Sequence, residues 1–164
     1  MKADTTGQAP FRQGLWYEQF EIGATFWSPG RTVTEADLVA FSGLSWDLTG
    51  LHTDEVAAAR SPFRTRVAHG FLIGSMTSGL GVQIGIFDGT IDALMGVDMN
   101  FVAPTFPGDT IRVCLTVREK EDRSKRNGKV IFDVLAVNQE GKHVLEGEWR
   151  TLVRRDRRPP TEEA

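Results

Sequence analysis

Between Val67 and Phe87 the chain runs for 21 residues without a charged side chain, and no other stretch limits the fold so severely. A membrane span is one reading of such a run. However, His69, Gln83, two serines, one threonine and five glycines dilute its hydropathy well below that of a spanning segment. Its larger apolar residues, Val67, Phe71, Leu72, Met76 and Leu80, recur close to once per helical turn. Small residues fill the other faces: Ala68, Gly70, Gly74, Ser75, Ser78 and Gly79. A helix with no charge on any face has no side meant for water, so this one is expected to be surrounded. Each interior glycine costs roughly 1 kcal/mol against alanine, and burial must offset that weakness.

The segments that follow can supply the cover. Met95, Val97, Met99 and Phe101 alternate with Gly96, Asp98, Asn100 and Val102. After a turn at Pro104 to Asp109, Ile111, Val113, Leu115 and Val117 alternate with Arg112, Cys114, Thr116 and Arg118. Asn127-Gly128 predicts a hairpin turn, Val130 to Val137 the returning strand, Glu140-Gly141 a further turn, and Val144 to Val153 a last strand. A turn followed by an early strand is expected over Phe20 to Trp27. Together these elements predict an α+β domain, a curved antiparallel β-sheet wrapped around a long central helix.

Ahead of that helix, Thr32 with Glu35, or Thr34 with Asp37, can form a capping box. The helix it opens would bury Leu38, Val39 and Phe41 and break at Gly43. Thr53 or Asp54 can cap a second short helix over Glu55 to Arg60.

A chain of 164 residues fits one domain. It is expected to span residues 15–154, with a flexible lead-in over 1–14 and a flexible tail over 155–164. The basic cluster Arg154-Arg155-Asp156-Arg157-Arg158 reads as part of that solvated end. A net charge of -3 gives no reason to expect nucleic acid or an acidic membrane as partner. The single cysteine, Cys114, excludes an internal disulfide and fits a reducing compartment. The N-terminus lacks the apolar run of a signal peptide, so a soluble cytoplasmic protein is expected.

Of the three histidines, His143 sits on a strand next to a turn and reads as a surface residue. His52 lies five residues after Asp47, in a turn-prone segment between two predicted helices. That spacing suits neither one face of a helix nor one face of a strand. If the loop brings the two together, a carboxylate and an imidazole can hold one water and move its protons. The alternative is an Asp-stabilised turn beside a half-exposed histidine, and spacing alone leaves both open. His69-Gly70 sits at the start of the uncharged helix, where free N–H groups and the helix dipole favour negative charge. The Gly70 N–H is then a candidate oxyanion donor, or Gly70 serves only close packing. No metal site is expected, since His52 and Asp54 lack further ligands at a recognisable spacing.

The stretch Asp47-Leu48-Thr49-Gly50-Leu51-His52-Thr53-Asp54, then Val67-Ala68-His69-Gly70-Phe71-Leu72, then Asn100 to Asp109, resembles the MaoC-like dehydratases in motif and order. That family, the (R)-specific enoyl-CoA hydratases or hydratase 2, has the hotdog fold. The likeness runs from about Tyr17 to Arg154. It implies reversible hydration of a trans-2-enoyl-CoA to an (R)-3-hydroxyacyl-CoA, a lyase reaction of acyl-CoA and fatty acid metabolism. By position it implies Asp47 and His52 as the catalytic pair and Gly70 as oxyanion donor. Asp47 is taken as base and His52 as proton donor, with the reverse assignment open because two coupled groups titrate as a pair. Thr49, His69, Ser75 and Ser78 become candidate substrate contacts.

No cofactor is implied beyond coenzyme A as part of the substrate, or an acyl carrier protein in its place. Arg64, Arg66, Lys125 and Arg126 are available for its phosphates. The fold implies a homodimer or higher homo-oligomer. Thr49 and Gly50 stand where the family has Asn and Pro, and Trp46 precedes the acid, where it would narrow the pocket. Those departures keep a non-catalytic acyl-CoA-binding or accessory subunit as the alternative. An acyl-CoA thioesterase would need an acid on the central helix, and Gly74, Ser75 and Ser78 provide none.

Overall fold

The alternating segments become strands because each has one apolar face to bury. In the computed structural model, which describes residues 13–156, β1 (Thr25–Trp27) and β2 (Arg31–Thr32) come first. Four long strands follow later: β3 (Ile91–Phe101), β4 (Thr110–Asp122), β5 (Asn127–Val137) and β6 (His143–Arg154). They form an antiparallel sheet in the order β1-β4-β5-β6-β3, with β2 paired beside β1 on β4. On β4, Ile111, Val113, Leu115 and Val117 are all 1% exposed or less, as the alternation predicts. The long helix α4 (Gly70–Gln83) lies on that inner face and buries Leu72, Ile73, Met76 and Leu80. This is the expected α+β hotdog arrangement.

Close approach between α4 and the sheet depends on Gly81. A Cβ there would stand 2.5 Å from the Trp149 ring on β6, so only glycine lets the indole reach the helix backbone. The expectation that α4 is surrounded holds for one side. Phe71 is 69% exposed, and Ser75, Gly79, Val82 and Gln83 continue its stripe along the helix. A single sheet covers only one side of a cylinder.

The helices before α4 depart from the sequence reading in detail. The capping box is Thr34 with Asp37, whose carboxylate accepts the Thr34 N–H at 2.8 Å, while Thr32 lies in β2. The helix α1 (Glu35–Ser45) buries Leu38, half-buries Phe41 and leaves Val39 exposed. It passes through Gly43 without a break, since one glycine costs less than the rest of the turn provides. Next come α2 (Gly50–Thr53), a single turn inside the segment expected to be irregular, and α3 (Glu55–Ala58), capped by Asp54.

Asn127-Gly128 does not form the hairpin turn. Both residues belong to β5, and Arg123 to Arg126 make the connection, closed by Ser124 N–H donating to Asn127 O at 3.0 Å. The glycine is needed because the Tyr17 ring lies directly on it, leaving no room for a Cβ. Tyr17 is held there by Lys120 and Arg155, each 4.6 Å from its ring centre. Arg155 also bonds Glu18 and Asp122, and Arg154 pairs with Asp92 at 2.6 Å, so these two arginines are tied to the domain. Arg157 and Arg158 lie outside the described residues, as does most of the expected lead-in, although Gly14 N–H donates to Asp88 O at 2.7 Å. Among the described residues no helix is long and apolar enough to cross a membrane.

Replacing Gly128 with alanine forces the methyl into the Tyr17 ring, so urea unfolding of Gly128→Ala is expected to show a loss of about 1–3 kcal/mol.

Candidate active site

The end of α1 aims the acid. Trp46 adopts a left-handed conformation, φ 61°, and its N–H donates to Ser42 O at 3.0 Å. That cap turns the chain so that Asp47 leaves the helix at once. The Trp46 side chain is 83% exposed and takes no part in the pocket wall, contrary to the expectation that it narrows the pocket. Thr49 then fixes the carboxylate. Its hydroxyl and its N–H both donate to Asp47 Oδ1, at 2.6 and 3.2 Å, leaving Oδ2 free to face elsewhere. These two bonds hold the Asp47 carboxyl below the usual aspartate range. Gly50 opens α2 in the first-turn position that suits the proline it replaces.

His52 rides on α2, and its Nδ1 lies 2.8 Å from Val67 O. A carbonyl oxygen cannot donate, so Nδ1 carries a proton, and in the neutral ring Nε2 presents a lone pair. That lone pair lies 3.8 Å from Asp47 Oδ2. The distance is too long for a direct hydrogen bond and suits one oxygen bridging both groups. The pair expected from the sequence therefore does meet. In this tautomer His52 must receive a proton at Nε2 before it can give one, which modifies its expected role as donor alone.

His69 lies against both members of the pair. Its ring is stacked on His52 at 3.9 Å with an interplanar angle of 26°, and its Nε2 reaches Asp47 O at 3.1 Å and Ser42 Oγ at 3.3 Å. Ligand atoms of Asp47, His52 and His69 lie within 4.8 Å of one another, a spacing open to a metal. His69 Nε2 faces the Asp47 carbonyl oxygen, however, and so carries a proton, which leaves that nitrogen no lone pair for a metal. The geometry suits proton transfer better.

At the start of α4 no side chain among the described residues caps the helix, and Gly70 stands in its first turn at the positive end of the helix dipole. A Cβ there would stand 2.9 Å from the Phe101 ring, so the glycine also serves the close packing expected as the alternative. A cavity of about 420 Å³ lies there, lined by Phe41, Ser45, Asp47, His69, Gly70 and Ser75 among others. Ser75 thus reaches the cavity, while its hydroxyl donates to Phe71 O at 2.8 Å. Ser78 is not part of that wall. A second cavity of about 360 Å³ also has Gly70 in its wall and is lined by uncharged residues, Phe63, Val67, Ile73 and Phe101 among them. Of the basic candidates, Arg66 is paired with Glu35 and Glu55, at 3.0 and 2.8 Å. Lys125 and Arg126 sit on the β4–β5 hairpin, at the end of the sheet away from Phe101, and Arg64 is exposed. His143 is on the surface, paired with Glu146 at 2.7 Å.

Sequence reasoning missed Ser42, Ser45 and the Val67 carbonyl. A backbone acceptor leaves no trace in residue type, and two serines near a helix end read as ordinary cap residues.

A family model described as "MaoC like domain" matches residues 19–139. The chain belongs to this family. Among its MaoC-like relatives, "Protein MaoC" of Klebsiella aerogenes is 40% identical over 119 residues, which are 72% of this chain and 34% of that protein. This chain thus corresponds to only part of that relative's length. An "(R)-specific enoyl-CoA hydratase" of Rhodospirillum rubrum is 32% identical, over 84% of this chain and 91% of its own. Among solved structures, a monoamine oxidase regulatory protein from Archaeoglobus fulgius aligns with a TM-score of 0.82 at 32% identity, covering 88% of this chain and 97% of that one.

Removing the Thr49 hydroxyl takes away the larger of the two influences on Asp47. In Thr49→Val, the carboxyl titration of Asp47 followed by carbon NMR is expected to move to higher pH. An unchanged midpoint would show that Thr49 does not hold the acid.

Proposed function

We propose that the protein is a lyase that reversibly hydrates a trans-2-enoyl-CoA to an (R)-3-hydroxyacyl-CoA. The observation that carries this reading is the 3.8 Å approach of His52 Nε2 to Asp47 Oδ2, beside the uncapped start of α4 at Gly70. Family membership and hydratase-named relatives support it. The thioester carbonyl accepts the Gly70 N–H, which draws charge from the β-carbon and stabilises the enolate-like state. One water donates to Asp47 Oδ2 and to His52 Nε2. As its oxygen adds to the β-carbon, His52 takes its proton, then delivers it to the α-carbon as the carbonyl re-forms. Asp47 holds the second hydrogen and offsets the charge on the imidazolium. Hydroxyl and proton come from one water on one face, so addition is syn. Atoms balance without a redox cofactor, and coenzyme A or a carrier-protein phosphopantetheine serves as the acyl handle.

A homodimer belongs to the same proposal. The edge strand β3 is 11 residues long, among the described residues pairs only with β6, and exposes Leu94, Met95 and Phe101. A long free edge with apolar side chains favours pairing with a second copy. Sedimentation is expected to give a species of twice the chain mass, and Met95→Lys is expected to shift it toward monomer.

Mixed with crotonyl-CoA, the native protein is expected to abolish the conjugated enoyl absorbance, with Asp47→Asn and His52→Ala each slower by about 10²–10⁴-fold. Binding of acyl-CoA without turnover, on longer and branched enoyl-CoAs as well, would replace this reading with that of an accessory subunit. Free thiol released without hydration would make the protein a thioesterase.

A further inference from the structure

The buried His69 ring was expected to touch substrate, and its surroundings suggest a different task. It is 2% exposed and held between two rings, Phe41 at 5.2 Å and His52 at 3.9 Å. Its Nε2 lies 3.1 Å from the Asp47 carbonyl oxygen, which only accepts, so the ring proton sits on Nε2 and points at the Asp47 backbone. Ser42 Oγ, at 3.3 Å, shares that proton from the side. The other nitrogen, Nδ1, is buried with no hydrogen-bond partner among the described residues. A buried unpaired nitrogen is a cost. The cost is tolerated where the same ring must supply two other things at once, a donor at Nε2 and a flat face.

We propose that His69 is a positioning residue for the hydration chemistry, fixing the Asp47 backbone through its Nε2–H and the His52 ring through stacking. The inference rests on the hydratase reading for its kinetic consequence and on geometry alone for its structural one. Phenylalanine and glutamine separate the two contacts. His69→Phe keeps a flat ring over His52 and loses the donor. His69→Gln keeps an N–H at similar reach and loses the ring.

The test measures both variants against the native protein in two ways. With crotonyl-CoA, His69→Phe is expected to lower kcat about 100-fold, the scale of a misplaced reacting group. KM is expected to stay within about twofold, because phenylalanine keeps a ring of similar size in the cavity wall that His69 borders. His69→Gln is expected to recover about tenfold of that kcat. Separately, backbone order parameters at Asp47 and Leu48 are expected to fall below about 0.6 in His69→Phe and stay near about 0.85 in His69→Gln. A rise in KM with kcat unchanged would make His69 a substrate contact and overturn the proposal. So would native order at Asp47 in His69→Phe. A native protein inactive on every enoyl thioester would defeat the hydratase reading only, and the order parameters would still decide for or against His69. If His69→Phe does not fold, His69→Asn, whose amide is too short to reach the Asp47 carbonyl, takes its place.

Discussion

Four consecutive residues, Val67 to Gly70, carry most of the site, and the hydrogen bond that anchors them is the one from Ala68 N–H to Thr105 O at 2.8 Å. Val67 gives its carbonyl to His52, His69 holds Asp47, and Gly70 opens the helix. The chain can follow this path because Val67, Ala68 and His69 are all buried and Thr105 is 3% exposed. Thr105 belongs to the connection between β3 and β4. That connection is fixed in turn by Gly108 at φ 96°, by Asp109 accepting the Phe106 N–H, and by paired backbone bonds between Val33 and residues 108–109. The sheet and the site are thus one construction.

The rules most readable in the sequence were those that act on neighbours along the chain. Period-two alternation marked β4, where each inward residue is buried. The Thr34–Asp37 capping box acts over a single turn and was visible as one of two candidates. Asn127-Gly128 misled because its glycine answers to Tyr17, a residue far away in sequence whose ring arrives only in the folded state. The exposed stripe on α4 was hidden for a similar reason. Its composition told how apolar the helix is, but the number of its sides a lone sheet covers is a matter of packing.

At the site, the approach of Asp47 to His52 was legible because the motif keeps their order, although spacing alone left it ambiguous. The supports were not legible. Thr49 differs from the family's Asn, yet its hydroxyl and amide both bind Asp47 Oδ1, so the acid is held despite the change. The tautomer of His52 depends on a backbone carbonyl, which every residue possesses. The proposed consequence, that one imidazole both receives and returns the proton, rests on that tautomer and not on residue types.

The central claim is that Asp47 and His52 act as one unit on one water. Comparing Asp47→Asn, His52→Ala and the double variant for kcat/KM on the same enoyl-CoA tests it most directly. Shared action predicts that the double variant is within about threefold of the slower single variant, since the second loss removes nothing further. If the two losses instead multiply, the residues act independently, and the shared water is contradicted.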